Sequence, residues 1–528
     1  MPSYPNPQHK KILPNLLLLF LTPLMVFGAL EFSIRQFAPS KVRTYFDDQT
    51  EKAFGGTVPR KLPGDYRIFI YGGSSAYGFP VADRYSITAW MRKSFPHLLP
   101  GRPVKVINCA WPGKDSELIA QGAYSVLKYK PDLFIIYSGH NEALIDNRLY
   151  MDNRLYWLNL QLKYHSAFYR YLSIRLERLR KHILYGHSGH VEKFYREEVI
   201  AREVYKKPEV SGEVYGQILK NYVKNMETVI RIARQQKIDV IFLTPPSNLS
   251  AYPPEYPMHH VRLPESLLAE WTQHFENGKK LQGDQKFQDA VTAYKKAMLI
   301  DPTFAELQYR IGTCYLKTGS YKEAKNAFTL ARDFDGHPTR AKSEMIRAVI
   351  ALAQRHGMML VDIVALFEKI SPHGIIGSQL VYDNVHPTVQ AQQIISDAVL
   401  KELARHGKPV PESDWQWQAL EAARSGAESA DWKIDGSLNA YRFVLRGLLL
   451  WERKHYGDAE GDLEKALEFM PNFIESYAFL GDTYYHLGKH EKAVKAFQML
   501  QEKDPNLLNL LAQKYPDIQQ SVSKTTKV

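Results

Sequence analysis

Cysteine is nearly missing from this chain. Cys109 and Cys314 are the two in 528 residues and lie far apart, so a disulfide framework, a Cys-x-x-Cys redox pair and a cysteine zinc cluster are excluded. No Gly-Lys-Ser/Thr ending completes a phosphate-cradling loop. Only one long hydrophobic run occurs, which excludes a multi-span transporter. His182, His187, His190, His259 and His260 show no ligand spacing with a carboxylate and read as solvated loop histidines. No metal and no other cofactor is expected.

What is present is the composition of a folded protein. Residues are 45% apolar, 12% aromatic and 23% charged, and the length suggests three or four domains. The net charge of +12 suits an anionic membrane surface or an acidic polymer without choosing between them.

The hydrophobic run, Ile12 to Leu30, carries no formal charge and as a helix matches a hydrocarbon core about 30 Å thick. Lys10 and Lys11 before it favour a cytoplasmic N-terminus; Arg35, Lys41 and Arg43 after it blunt the asymmetry. A cleaved secretory signal shares the basic start and apolar middle. No small-x-small cleavage site precedes Glu31, so an uncleaved single-pass anchor is expected. Either way the body is exported, periplasmic in a Gram-negative cell, with no nucleic-acid partner.

Short apolar runs recur along the body: Tyr66 to Tyr71, Val104 to Ile107, Leu133 to Tyr137, Val240 to Leu243 and Met359 to Asp362. Helical patterns such as Ser86 to Phe95 and Ser116 to Leu127 lie between them. The alternation predicts an α/β fold, a parallel sheet between two helical layers, with functional groups beyond the carboxyl ends of the strands.

A second pattern has a period of 34 residues. Gly278, Ala290, Tyr294 and Ala297 recur as Gly312, Ala324, Phe328 and Ala331; Gly447, Ala459 and Ala466 recur as Gly481, Ala493 and Leu500. That period, with small residues where paired helices cross, is the tetratricopeptide (TPR) signature. Each pair falls short of the three repeats usually needed for stability, so each is expected to dock on the core, on a helix near Asp414 to Arg424, or on the other pair. Concave repeat surfaces usually bind protein partners.

The expected divisions are an anchor or signal (1–35), a linker (36–65) and the first part of the sheet domain (66–260). Within that part, 143–223 is a helical insertion: a lid over the site, a membrane-facing helix or an ordinary amphipathic one. An inserted repeat pair (265–338), the second part of the sheet domain (339–406), a linker with a helix (407–439), a C-terminal repeat pair (440–510) and a tail (511–528) follow.

Four strand-end motifs carry the chemistry. Gly72-Gly73-Ser74-Ser75-Ala76-Tyr77-Gly78 puts a serine in a tight turn. Asn108 to Gly113 follows the second run, Gly139-His140-Asn141-Glu142 the third, and Asp383-Asn384-Val385-His386 precedes the last helix of the sheet domain. Singly, each reads equally as a turn, a cap or a self-satisfied loop. Asn248-Leu249-Ser250 also has the form of a glycosylation sequon.

In this order the four blocks resemble the SGNH (GDSL-like) hydrolase superfamily. Gly73 stands where the family has aspartate, Ala110 where it often has glycine, and Glu142 where it has aspartate; Asp383-x-x-His386 matches without departure. The resemblance implies a flavodoxin-like sheet and acyl transfer from an ester. Ser74 would be the nucleophile and His386 its base, with Asp383 orienting the imidazole. The amides of Ser74 and Gly113 and the side chain of Asn141 would stabilise the oxyanion. An O-acetylated polysaccharide or cell-wall glycan is the expected substrate. An O-acyltransferase, a lipid esterase, or a catalytically idle scaffold for envelope or exopolysaccharide assembly are the alternatives.

Overall fold

A computed structural model describes residues 25–34, 36, 44–79, 82–143, 162, 166–173, 175–176, 210–425, 440–452, 454, 456–469, 471 and 474–503. Five strands, β1 (Tyr66–Gly72), β2 (Val104–Asn108), β3 (Leu133–Tyr137), β4 (Asp239–Leu243) and β5 (Met359–Val361), pair in parallel in the order β2-β1-β3-β4-β5. This is the flavodoxin-like order. Both β1 and β3 are buried along their whole length, because helices cover both faces. Alternate side chains part between two cores. Ile68, Ile70, Leu133, Ile135 and Ile241 share one with helices Ile87–Leu98 and Val389–Arg405. Phe69, Tyr71, Phe134, Ile136 and Phe242 share the other with Ser116–Ser125, Gly212–Gln236 and Ser343–His356.

Three expectations change. The span expected as a linker, 36–65, contains helix Tyr45–Phe54, started by a reciprocal capping box between Thr44 and Asp47. It belongs to the sheet domain because Phe46 is buried against Tyr71. The end of the 143–223 insertion is crossover helix: Gly212–Gln236 buries Tyr215, Ile218 and Tyr222. The rest of that insertion lies mostly outside the described residues. Helix Trp417–Ser425 puts Leu420, with Trp415 just before it, into the sheet core and so extends that domain.

Residues 12–24 of the hydrophobic run also lie outside the described residues. Its end is helical, and the Glu31 carboxylate accepts hydrogen bonds from the amides of Ala167 and Phe168 at 2.7 and 2.8 Å. Among the described residues no helix is long and apolar enough to cross a membrane.

The repeats form two arrays. Helices Glu265–Gly283, Phe287–Ile300, Ala305–Lys317 and Tyr321–Asp333 lie between β4 and β5. Helices Ala440–Glu452, Tyr456–Phe469, Ile474–His486 and His490–Lys503 follow the sheet domain. The 34-residue glycines mark close helix crossings. A Cβ on Gly278 would come within 2.4 Å of the Tyr294 ring, and one on Gly481 within 2.8 Å of Phe497. His259, expected as a solvated loop histidine, is instead half-buried and bonds Asp301 at 2.6 Å beside Trp271 and Phe304. His260 bonds the Phe334 carbonyl at 2.7 Å. His182, His187 and His190 lie outside the described residues.

Candidate active site

At the end of β1 the backbone passes so close to β3 that a Cβ on Gly72 would lie 2.0 Å from the Tyr137 carbonyl oxygen. The chain then turns through Gly73 into the short helix Ser74–Tyr77. Ser74 therefore stands beyond a strand end where the sheet order reverses, since β2 flanks β1 on one side and β3 on the other.

From the far end of the sequence, His386 comes to meet it. His386 Nε2 lies 2.7 Å from Ser74 Oγ, and His386 Nδ1 lies 2.5 Å from Asp383 Oδ2. The carboxylate fixes the proton on Nδ1 and leaves the Nε2 lone pair facing the hydroxyl. Asp383 Oδ1 accepts the backbone N–H groups of Val385 and His386, both at 2.9 Å. Burial raises the Asp383 pKa, but the His386 charge and these hydrogen bonds outweigh it and hold the carboxyl below its ordinary range.

The Ser74 turn and the His386 loop are also stitched together by residues given no role by the motifs. Ser75 Oγ donates to the Val385 carbonyl at 2.9 Å. Gln392, one turn into helix Val389–Arg405, donates to the Ser75 carbonyl at 3.0 Å. The Phe79 ring lies 4.8 Å from the His386 ring, centroid to centroid. Ser75 lies within the serine motif and Phe79 adjoins it; nothing in the spacing of Gln392 marks it.

The expected oxyanion donors come from three strand ends. Asn141 Nδ2 donates one proton to the Lys114 carbonyl at 2.9 Å, which leaves its second proton for another acceptor. The same nitrogen would lie 2.2 Å from a Cβ on Gly73, so Asn141 rests directly on the nucleophile turn. Gly113 is exposed, with φ +70°, in a turn that the Trp111 N–H bonds to the Gly72 carbonyl at 2.9 Å. Asn108 points elsewhere: it donates to the Tyr77 carbonyl at 3.1 Å and accepts from the Ala110 amide at 3.2 Å, bracing the turn.

The other members of the third block are structural. Buried His140 accepts the Ala341 N–H at Nδ1, 3.1 Å, so its proton sits on Nε2. Burial, then the nearby His386 charge, push its pKa down to about 3 and keep it neutral. Glu142 accepts from the Ser116 hydroxyl at 2.6 Å and its amide at 3.1 Å, placing a carboxyl at the N-terminus of helix Ser116–Ser125.

The tetratricopeptide-repeat family model matches residues 281–343 and 450–514. Both helical arrays are tetratricopeptide repeats. No curated protein matches the sequence. Solved structures similar to this chain include an acetylxylan esterase from Geobacillus stearothermophilus, 14% identical over 64% of this chain and 94% of that one, with a TM-score of 0.29. A lipase/acylhydrolase from Enterococcus faecalis is 12% identical over 64% and 95%, with a TM-score of 0.29. A structure from Desulfitobacterium hafniense assigned to the G-D-S-L lipolytic family is 10% identical over 64% and 99%, with a TM-score of 0.27. The neighbours include the family whose blocks this sequence resembles. Likenesses this distant carry no argument about chemistry, which rests on the side chains described above.

Proposed function

We propose that the protein is a serine esterase working through an acyl-enzyme. The observation that carries this is the continuous line from Ser74 Oγ through His386 to Asp383. As Ser74 Oγ attacks the ester carbonyl, its proton passes to His386 Nε2. The negative oxygen is met by the Ser74 and Gly113 amides and by Asn141 Nδ2; one such donor is worth about 3–4 kcal/mol of barrier. His386 then returns the proton to the departing alcohol, and the acyl group stays on Ser74 until water, activated by the same imidazole, releases it.

The substrate is an O-acyl ester, an O-acetyl group of a polysaccharide or cell-wall glycan, and the enzyme works outside the cytoplasm on a single-pass anchor. The uncharged run from Ile12 to Leu30 behind Lys10 and Lys11 supports that location. The repeats supply surfaces for a protein partner. A serine-reactive fluorophosphonate tests the activity: Ser74 is labelled in the wild type, and labelling and ester hydrolysis vanish in Ser74→Ala and His386→Ala. Full turnover in Ser74→Ala would refute the reading.

A further inference from the structure

We propose that Asn248 is a positioning residue for the Asp383–His386 loop and that the inserted repeats hold it in place. The proposal rests on the esterase reading above. Asn248 heads the sequon-like Asn248-Leu249-Ser250, yet it is only 1% exposed and both ends of its carboxamide are engaged. Nδ2 donates to the Val381 carbonyl at 3.1 Å, and Oδ1 accepts the Ala251 amide at 2.9 Å. Partners of opposite type fix which end is nitrogen. Its own backbone N–H donates to the Asn384 carbonyl at 3.0 Å. One residue beyond β4 thus grips the loop on both sides of Asp383.

What holds Asn248 and the residues after it belongs to the repeat insert and the irregular segment leaving it. Arg340 Nη1 donates to the carbonyls of Asn248 and Tyr252 at 3.1 and 2.8 Å. Tyr309, on inserted helix Ala305–Lys317, donates its hydroxyl to the Ser250 carbonyl at 2.8 Å. Leu249 packs in one cluster with Ala324 and Phe328 of the same repeat. A second route runs from Asn384 Nδ2 to Thr339 Oγ1 at 3.1 Å and on to Glu255 at 2.6 Å. The segment from Asn248 to Tyr256 is therefore a strap between the repeats and the triad, and the repeats contribute to turnover as well as to recognition.

A displacement of about 1 Å in a catalytic group can cost about a hundredfold in rate. Releasing the loop should therefore slow chemistry and spare substrate binding. Asn248→Asp sets an oxygen against the Val381 carbonyl; Asn248→Ser retains an oxygen near the Ala251 amide but does not reach Val381. With a p-nitrophenyl ester, both variants are expected to lose about tenfold or more in kcat with KM within about twofold, and to react with the fluorophosphonate correspondingly more slowly. Wild-type kcat in either variant, folded by circular dichroism, overturns the proposal; if Asn248→Asp fails to fold, Asn248→Ser decides by the same criterion. A wild type that is not labelled sinks the esterase reading instead, so the two failures are distinguishable.

Discussion

Gly73 and Asn141 compete for one space: a Cβ at residue 73 would lie 2.2 Å from Asn141 Nδ2, which the Lys114 carbonyl holds in place. The glycine at residue 73 therefore leaves room for the side chain proposed to stabilise the oxyanion. Gly73→Ala should displace that amide and lower kcat by about 10²-fold, the loss also expected for Asn141→Ala, with KM little changed. The double variant should be no slower than the worse single one, because both act on one interaction. Additive losses would separate the two residues.

Asp383→Asn keeps the shape of the loop but offers an amide where His386 Nδ1 needs an acceptor. A fall of about 10⁴-fold in kcat is expected, with unchanged circular dichroism. Single-turnover kinetics on a p-nitrophenyl ester would place the loss in acylation.

Glu142 predicts a pH dependence of stability. Burial, and then Asp115 beside it, push its carboxyl from an ordinary 4.5 up to about 8. The folded state thus holds this proton more tightly than the unfolded chain does. Its contribution to stability is full below the ordinary value and is lost as the pH rises through about 8. Thermal melts should show the wild-type Tm falling between about pH 5 and pH 8 more steeply than that of Glu142→Gln. Equal slopes would show that another group governs the range.

Gly278→Ala sets two effects against each other. Alanine gains about 1 kcal/mol of helix propensity, but its Cβ would meet the fully buried Tyr294 ring at 2.4 Å, and such overpacking costs about 1–3 kcal/mol. Net destabilisation is expected in urea unfolding, and Gly481→Ala against Phe497 should follow the same sign.

The sequence disclosed what periodicity and strand-end chemistry can disclose. β1 and β3 are apolar apart from Arg67 because helices cover both faces, and Ser74 follows β1 in a turn that glycines announce. Contacts between distant segments left no such trace. Gln392 reads as one more polar helix residue until its bond to Ser75 is seen, and Asn248 matches a modification motif that takes no account of burial. Glu142 stands in the third motif, yet its role depends on a helix start 26 residues earlier. The helix Tyr45–Phe54 is not legible in the sequence because Tyr45 and Phe46 dock it on distant Trp111 and Tyr71, while the surrounding composition resembles a tether.

Ser74 and His386 are separated by 312 positions, and the inserted repeats fall between them. During synthesis Ser74 emerges early and His386 late, so under the proposed mechanism a polypeptide that stops short of His386 lacks the base that activates the serine. Under the proposed mechanism, esterase activity therefore requires synthesis to pass through the whole insert.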